Sequence, residues 1–277
     1  MQKKAIDSHQ HFWSLDLFQY DWMSPDNRIL FQNYLPENFE PILANVEVEK
    51  IVAVQAHQSL EETRWLLKLS DKFDFIAGVV GWVDLLSKNV DEQLAEFSKH
   101  PKFKGVRHIV QDEPNDEWIL QPQVMQSIDR LAEFGLTYDI LIFPKHLKYI
   151  PKLIESCPKT SFVVDHLAKP PIASGESSEW KNDLKVVADF PQVYCKLSGL
   201  VTEANHQNWK SDDLKPYIET ALELFGTDRL MFGSDYPVCR LAAEYKTVLE
   251  TYSSFLDEND KNKVMRENAI KFYNLTI

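Results

Sequence analysis

Short apolar runs alternate with longer amphipathic segments along almost the whole chain. Eight runs, Lys4–Ser8, Lys50–Ala56, Phe75–Val83, Gly105–Val110, Thr137–Ile142, Ser161–Asp165, Val193–Leu197 and Arg229–Phe232, are rich in Val, Ile, Phe and Tyr. Such runs predict strands buried on both faces, as in a parallel sheet. Between them the apolar positions recur at helical spacing, for example Val90, Leu94 and Phe97 after Leu86, and Val124, Ile128, Leu131 and Phe134. Two further stripes are Trp180, Leu184, Val187, Phe190 and Leu214, Ile218, Leu222, Phe225. The helix ends carry their own signals. Ser59-Leu-Glu-Glu62 reads as a capping box ahead of Leu66, Leu67 and Leu69. Gly135 and Gly226 stand at C′ positions, and Pro151 belongs near a helix start.

Strands that alternate with helices imply crossover connections, and eight such units in about 250 residues match the size of a (β/α)8 TIM barrel. No Pro/Gly/Ser-rich linker, composition shift or low-complexity tract divides the sequence, so a single domain over residues 1–277 is expected. Two connections are longer than the rest. Residues 12–41 follow the first strand and carry Trp13, Tyr20, Trp22, Phe31 and Tyr34; residues 111–122 follow the fourth. Loops after the strands of a barrel lie on the face that carries chemistry, so the aromatic loop reads either as a pocket wall or as packing over the barrel mouth.

Composition narrows the function classes. The net charge of −12 argues against a nucleic-acid or anionic-membrane partner, both of which want basic patches. No run approaches the roughly 20 apolar residues of a membrane span, and no signal-peptide core opens the sequence. The three cysteines, Cys157, Cys195 and Cys239, are scattered and do not suggest a disulfide framework or zinc knuckle. A cytoplasmic protein acting on a small molecule is the expectation; the oligomeric state is not legible.

Chemically capable residues gather at the ends of the predicted strands. His9 and His11 follow the first, spaced so that alternation sends both imidazoles to one side. Gln55 and His57 end the second, Trp82 and Asp84 the third, and Arg107 and His108 the fourth. Tyr138 and Asp139 lie in the fifth, His166 and Lys169 follow the sixth, Lys196 and Ser198 close the seventh, and Asp235 closes the eighth. Paired histidines with a carboxylate can hold a divalent metal or grip a polar substrate. No G-x-S-x-G elbow is present, which disfavours a serine esterase.

The motifs His9-Gln-His-Phe-Trp13, Lys104-Gly-Val-Arg-His108, Val164-Asp-His-Leu-Ala-Lys-Pro170, Lys196-Leu-Ser-Gly199 and Phe232-Gly-Ser-Asp-Tyr-Pro237 resemble the amidohydrolase superfamily, and within it the sugar-lactonase branch. Glu267-Asn-Ala-Ile-Lys-Phe-Tyr-Asn-Leu275 is similar to that family's last helix. The resemblance implies metal ligands at His9, His11, His166 and Asp235, and hydrolysis of a small lactone. It implies at most one divalent ion, zinc by the ligand chemistry, because the fifth strand offers no histidine; catalysis without metal stays open. Asp235 is then the expected general base and Arg107 the expected oxyanion or carboxylate partner, with His166 as a further catalytic group. Trp13, Gln55, Trp82, His108, Tyr138 and Lys196 are the expected substrate contacts. A decarboxylase of the same superfamily and a non-catalytic metal- or sugar-binding barrel are the alternatives.

Overall fold

The computed structural model describes residues 4–277. Its first half runs β1 (Ala5–Gln10), α1 (Pro36–Leu43), β2 (Val48–Val54), α2 (Leu60–Lys72), β3 (Ile76–Gly81), α3 (Val90–Phe97), β4 (Phe103–Ile109) and α4 (Pro122–Arg130). The second half continues with β5 (Thr137–Leu141), α5 (Ile150–Ser156), β6 (Phe162–Val164), α6 (Ser178–Ala188) and β7 (Val193–Leu197). Then come α7 (Leu200–Glu203), α8 (Ser211–Phe225), β8 (Leu230–Phe232), α9 (Tyr245–Ser254), α10 (Glu258–Asn262) and α11 (Asn268–Phe272). The strands are parallel and neighbour one another in chain order from β1 to β8. The last seam closes just beyond β8: Asp235 N–H donates to the His9 carbonyl at 2.8 Å, and His11 N–H donates to the Tyr236 carbonyl at 2.7 Å. This is a (β/α)8 barrel, as the alternating pattern predicts.

Two apolar cores follow from that architecture. The larger lies between the sheet and the helices. The smaller is inside the barrel, where Ile6, Val52, Val54, Val163 and Met231 from four strands meet Phe272, Tyr273 and Leu275 from the end of the chain. The C-terminal segment thus plugs the lower opening. The upper half of the interior is left to polar groups.

Some local expectations need correction. Ser59 does cap α2, accepting the Glu62 N–H at 3.0 Å. The Glu62 side chain, however, does not complete a capping box. It accepts from the N–H groups of Ala56 and His57, at 3.0 and 2.8 Å, and from the Tyr20 hydroxyl at 3.1 Å, tying the long first loop to the end of β2. Leu86 is exposed ahead of α3 instead of extending its buried stripe, because α3 begins only at Val90. Pro151 sits in the first turn of α5, as its missing N–H allows. No helix among the described residues is long and apolar enough to cross a membrane.

Candidate active site

The site is built on the β1–β8 seam. A register slip between Asp7 and Gln10 breaks plain alternation at the end of β1. Asp7 holds this bend: its Oδ1 accepts the N–H groups of His9 and Ser234, at 3.0 and 2.9 Å, and its Oδ2 accepts the Tyr245 hydroxyl at 3.0 Å. Gly233 is needed here, because a Cβ on it would lie 2.6 Å from that of His9. His11 Nδ1 lies 2.8 Å from the Val54 carbonyl. A carbonyl only accepts, so the proton is on Nδ1 and the Nε2 lone pair faces the interior. There it meets His9 Nε2 at 3.1 Å and Asp235 Oδ1 at 3.3 Å. Asp235 Oδ1 also lies 3.7 Å from His9 Nε2 and 3.9 Å from His166 Nε2.

His166 is delivered by an unusual turn. Residues 166–169 after β6 all adopt left-handed backbone, with φ of 55, 52, 57 and 54°, and Asp235 does so with φ of 56°. Left-handed conformation costs a non-glycine residue about 1–2 kcal/mol. Such strain persists only where surrounding structure over-determines it, and it clusters at functional sites. Part of that surrounding structure is Ser198, the residue just after β7, whose hydroxyl lies 2.8 Å from His166 Nδ1. The next residue must be small, since a Cβ on Gly199 would come within 2.6 Å of the same nitrogen.

Beneath these groups lies a buried ionic floor. Lys196 Nζ donates to Asp139 Oδ2 at 2.6 Å and lies 2.9 Å from Asp165 Oδ1 and 3.1 Å from His9 Nδ1. Arg107 Nη1 donates to Asp165 Oδ2 at 3.1 Å and sits 3.2 Å from His9 Nε2, while its Nη2 donates to the Gln55 carbonyl. From below, the Tyr273 hydroxyl donates to Asp139 Oδ2 at 2.7 Å. A polar column therefore runs from the C-terminal plug to the barrel mouth.

Burial sets the charge states. Desolvation pushes His9 well below the usual imidazole range and His166 down to about 4, so both are neutral at pH 7. Burial alone would raise the Asp235 carboxyl, but the imidazoles of His166, His11 and His9 hold it below its ordinary value. Burial opposes ionisation of Asp165 too, and is overcome by Lys196, His9 and Arg107, which hold it low. Asp139 shifts the other way, raised by burial and by the neighbouring Asp165 charge against the pull of Lys196.

Residues 6–275 match the Amidohydrolase family. The chain belongs to the amidohydrolase family. It is 37% identical to L-fucono-1,5-lactonase of Burkholderia ambifaria, over 98% of this chain and 95% of that protein. A relative of the same name from Burkholderia multivorans is 36% identical over 88% of this chain and 85% of its own length. The crystal structure of a Burkholderia multivorans amidohydrolase with bound Zn superposes with a TM-score of 0.92 at 33% identity, covering 99% of this chain and 100% of that one.

The donor set of this amidohydrolase fits a divalent ion. His9 Nε2, His11 Nε2 and Asp235 Oδ1 form a triangle with sides of 3.1, 3.3 and 3.7 Å. Zinc bonds of about 2.0–2.1 Å give a tetrahedral edge of about 3.3 Å, with a fourth position left open. Three carboxylates (Asp139, Asp165, Asp235) against two cations (Arg107, Lys196) also leave the buried cluster short of positive charge. His9, Asp165 and His166 form a second, overlapping group of candidate ligands.

Several expected substrate contacts are placed elsewhere. Trp13 is wholly buried, its indole N–H donating to the Gln32 carbonyl and its ring packed on Tyr20, Trp22 and Tyr34. It is the core of the long loop. Tyr138 is buried and packs on Phe162, because alternation along β5 sends Asp139, and not its neighbour, to the axis. Gln55 and Lys196 are also fully enclosed, below the imidazoles. His108 has both nitrogens occupied, Nδ1 accepting from the Trp82 indole at 3.2 Å and Nε2 against Glu113 at 2.7 Å, with Trp118 stacked on its ring. It shapes the wall from behind. Of the six, Trp82 alone keeps a half-buried side chain. Two half-buried charges stand nearby with no side-chain hydrogen bond among the described residues: Lys169, in the turn after β6, whose ammonium lies over the Phe143 ring, and Glu203, at the end of α7, whose carboxyl is raised by burial and feels both Lys169 and Asp235. Spacing and periodicity gave no sign of Glu203 or of Tyr273, while Asp165 was visible only as the neighbour of His166.

Proposed function

We propose that this amidohydrolase opens the ring of a small lactone, the internal ester of a sugar acid being the best match. The observation that carries the reading is the meeting of an ionised, nearly buried carboxylate, Asp235, with three imidazoles at one barrel mouth. The identity to L-fucono-1,5-lactonases along nearly the whole chain supports the same substrate class. A decarboxylase or a non-catalytic binding barrel is not favoured by any observation of the site.

In the proposed reaction, water adds to the acyl carbon while Asp235 takes one of its protons. The ring C–O bond then breaks and the ring oxygen receives that proton back from Asp235. The product is a hydroxy acid, which ionises and releases one proton to solvent. His9, His11 and Asp235 are the residues that would hold a divalent ion, with His166 beside them in the overlapping second group. Such an ion, when bound, supplies Lewis-acid polarisation and a more acidic water. Arg107 has its terminal nitrogens engaged with Asp165 and Gln55, so its fixed positive charge, and not a free N–H, acts on the developing oxyanion. Trp82, Lys169 and Glu203 are left to meet the ring and its hydroxyls.

A panel of five- and six-membered aldonolactones in weak buffer with a pH indicator tests this directly. Turnover of at least one sugar lactone with kcat/KM above about 10⁴ M⁻¹s⁻¹ is expected. No acid release across the panel by zinc-supplemented protein, or carbon dioxide released from an unsaturated acid, would overturn the reading.

A further inference from the structure

The pleat of β3 places Trp82 at the barrel mouth. A Cβ on Gly78 would lie 2.9 Å from Leu275 of the plug, and Val80 belongs to the inner core. A Cβ on Gly81 would instead strike Thr63 of α2, outside the barrel, at 2.6 Å. Alternation then sends Trp82, two residues after Val80, inward and about 7 Å nearer the mouth. Its indole is held unlike the others. Trp13, Trp22, Trp180 and Trp209 each donate the indole N–H to a backbone carbonyl, whereas Trp82 donates to a side chain, His108 Nδ1, at 3.2 Å. Burial pushes the His108 imidazole below its usual range, which keeps it neutral at pH 7. An indole N–H only donates, so Nδ1 is bare and the one ring proton is on Nε2, 2.7 Å from Glu113 Oε1. Both hydrogen bonds ask for the same tautomer. Trp118, from the same long connection as Glu113, stacks on the imidazole with 3.8 Å between centroids and 12° between planes. Carboxylate, imidazole and indole thus form a chain that fixes the plane of a half-buried tryptophan.

We propose that Trp82 is the platform on which the ring of the lactone lies, and that Glu113 is its positioning residue, acting through His108. The inference rests on the sugar-lactone reading of the site. A sugar ring carries C–H groups on its faces and hydroxyls around its edge. A flat apolar surface takes a face and leaves the edge to polar groups such as Lys169 and Glu203. Glu113 keeps Nδ1 bare by accepting the Nε2 proton. Without that acceptor the imidazole is free to adopt the other tautomer, whose Nδ1–H confronts the indole N–H. The indole then has to be ordered anew at each binding event, which costs about 3–10-fold in affinity. The long connection after β4 acts on the site in this way, with no contact between Glu113 and substrate.

The probe is the lactam of whichever sugar lactone the wild type opens fastest, a ring that water does not open. ¹H–¹⁵N spectra of zinc-supplemented protein follow the Trp82 indole signal, assigned with Trp82→Phe, and the His108 tautomer; calorimetry gives the affinity. We expect the lactam to shift the Trp82 signal, and the His108 proton to sit on Nε2. Affinity should fall about 10–100-fold in Trp82→Ala and about 3–10-fold in Glu113→Ala. Glu113→Gln, whose amide oxygen still accepts from Nε2, should restore the wild-type value. If Glu113 serves only the fold, folded Glu113→Ala binds the lactam as wild type does, and that result overturns the inference. An unmoved Trp82 signal or a His108 proton on Nδ1 overturns it as well, and both are read on wild type even if the variants fail to fold. In these cases lactone turnover by the wild type leaves the proposed function standing. A wild type that opens no lactone removes that function and this inference with it.

Discussion

The two halves of the barrel interior solve opposite problems. The lower half is filled by Ile6, Val52, Val54, Val163 and Met231 over a plug of Phe272 and Leu275, and its stabilisation scales with apolar area removed from water. The upper half, a few residues further along the same strands, encloses His9, Arg107, Asp139, Asp165 and Lys196 at no more than 3% exposure. Charges so buried cost several kcal/mol each in desolvation, which pairing offsets only when the geometry is good. A barrel needing only to fold would continue the apolar filling to the top. The polar half surrounds Asp235 and the imidazoles, and Tyr273 joins the halves by reaching up from the plug to Asp139.

Breaking the polar half should have the largest effect on stability. Lys196→Met leaves Asp139 and Asp165 short of a cation, and removing one partner of a buried pair costs about 3–5 kcal/mol. Denaturant titration checks this; a loss under about 1 kcal/mol would mean that the floor is not tightly paired. In the apolar half, Met231→Ala should cost about 2–5 kcal/mol through lost transfer energy and a cavity. Its metal affinity and activity per folded molecule should stay near wild type, and a loss of either would show that the two halves are coupled more closely than this contrast allows.

A smaller effect lies at the rim, where Glu62 is buried with no cation in contact among the described residues. Burial outweighs the N–H groups it accepts and pushes its carboxyl up from 4.5 to about 8. The folded state therefore binds more protons than the unfolded state between these values. This contribution is fully present below about pH 4.5 and is lost as pH rises through about 8. Stability of the wild type should fall across that window relative to Glu62→Gln, with a slope of at most about 1.4 kcal/mol per pH unit. Parallel stability–pH curves would show that Glu62 is ionised throughout, as Asp165 is.

The fold was legible in the sequence because strands covered on both faces leave uninterrupted apolar runs, and helices facing the sheet leave stripes. Strand ends were less so: β6 and β8 are only three residues long, since the chain turns away to deliver His166 and Asp235. Those two residues, with His9 and His11, could be named as site candidates from their place after strands. What spacing could not say was which neighbouring side chains look inward. Tyr138 and Asp139 are adjacent in sequence, yet alternation gives the axis to Asp139 alone. Trp13 follows the histidine motif directly, but the long loop folds back over it. Tyr273 was invisible for another reason, since its partner Asp139 lies 134 residues away.

In the reaction proposed for the upper half of the barrel, Asp235 moves the proton. Lactone turnover by Asp235→Asn, with zinc content measured on the same sample, tests it most directly. General bases typically contribute 10²–10⁴-fold, so kcat should fall by about that factor while KM changes little. A folded Asp235→Asn protein with the metal content and kcat of the wild type would contradict the account.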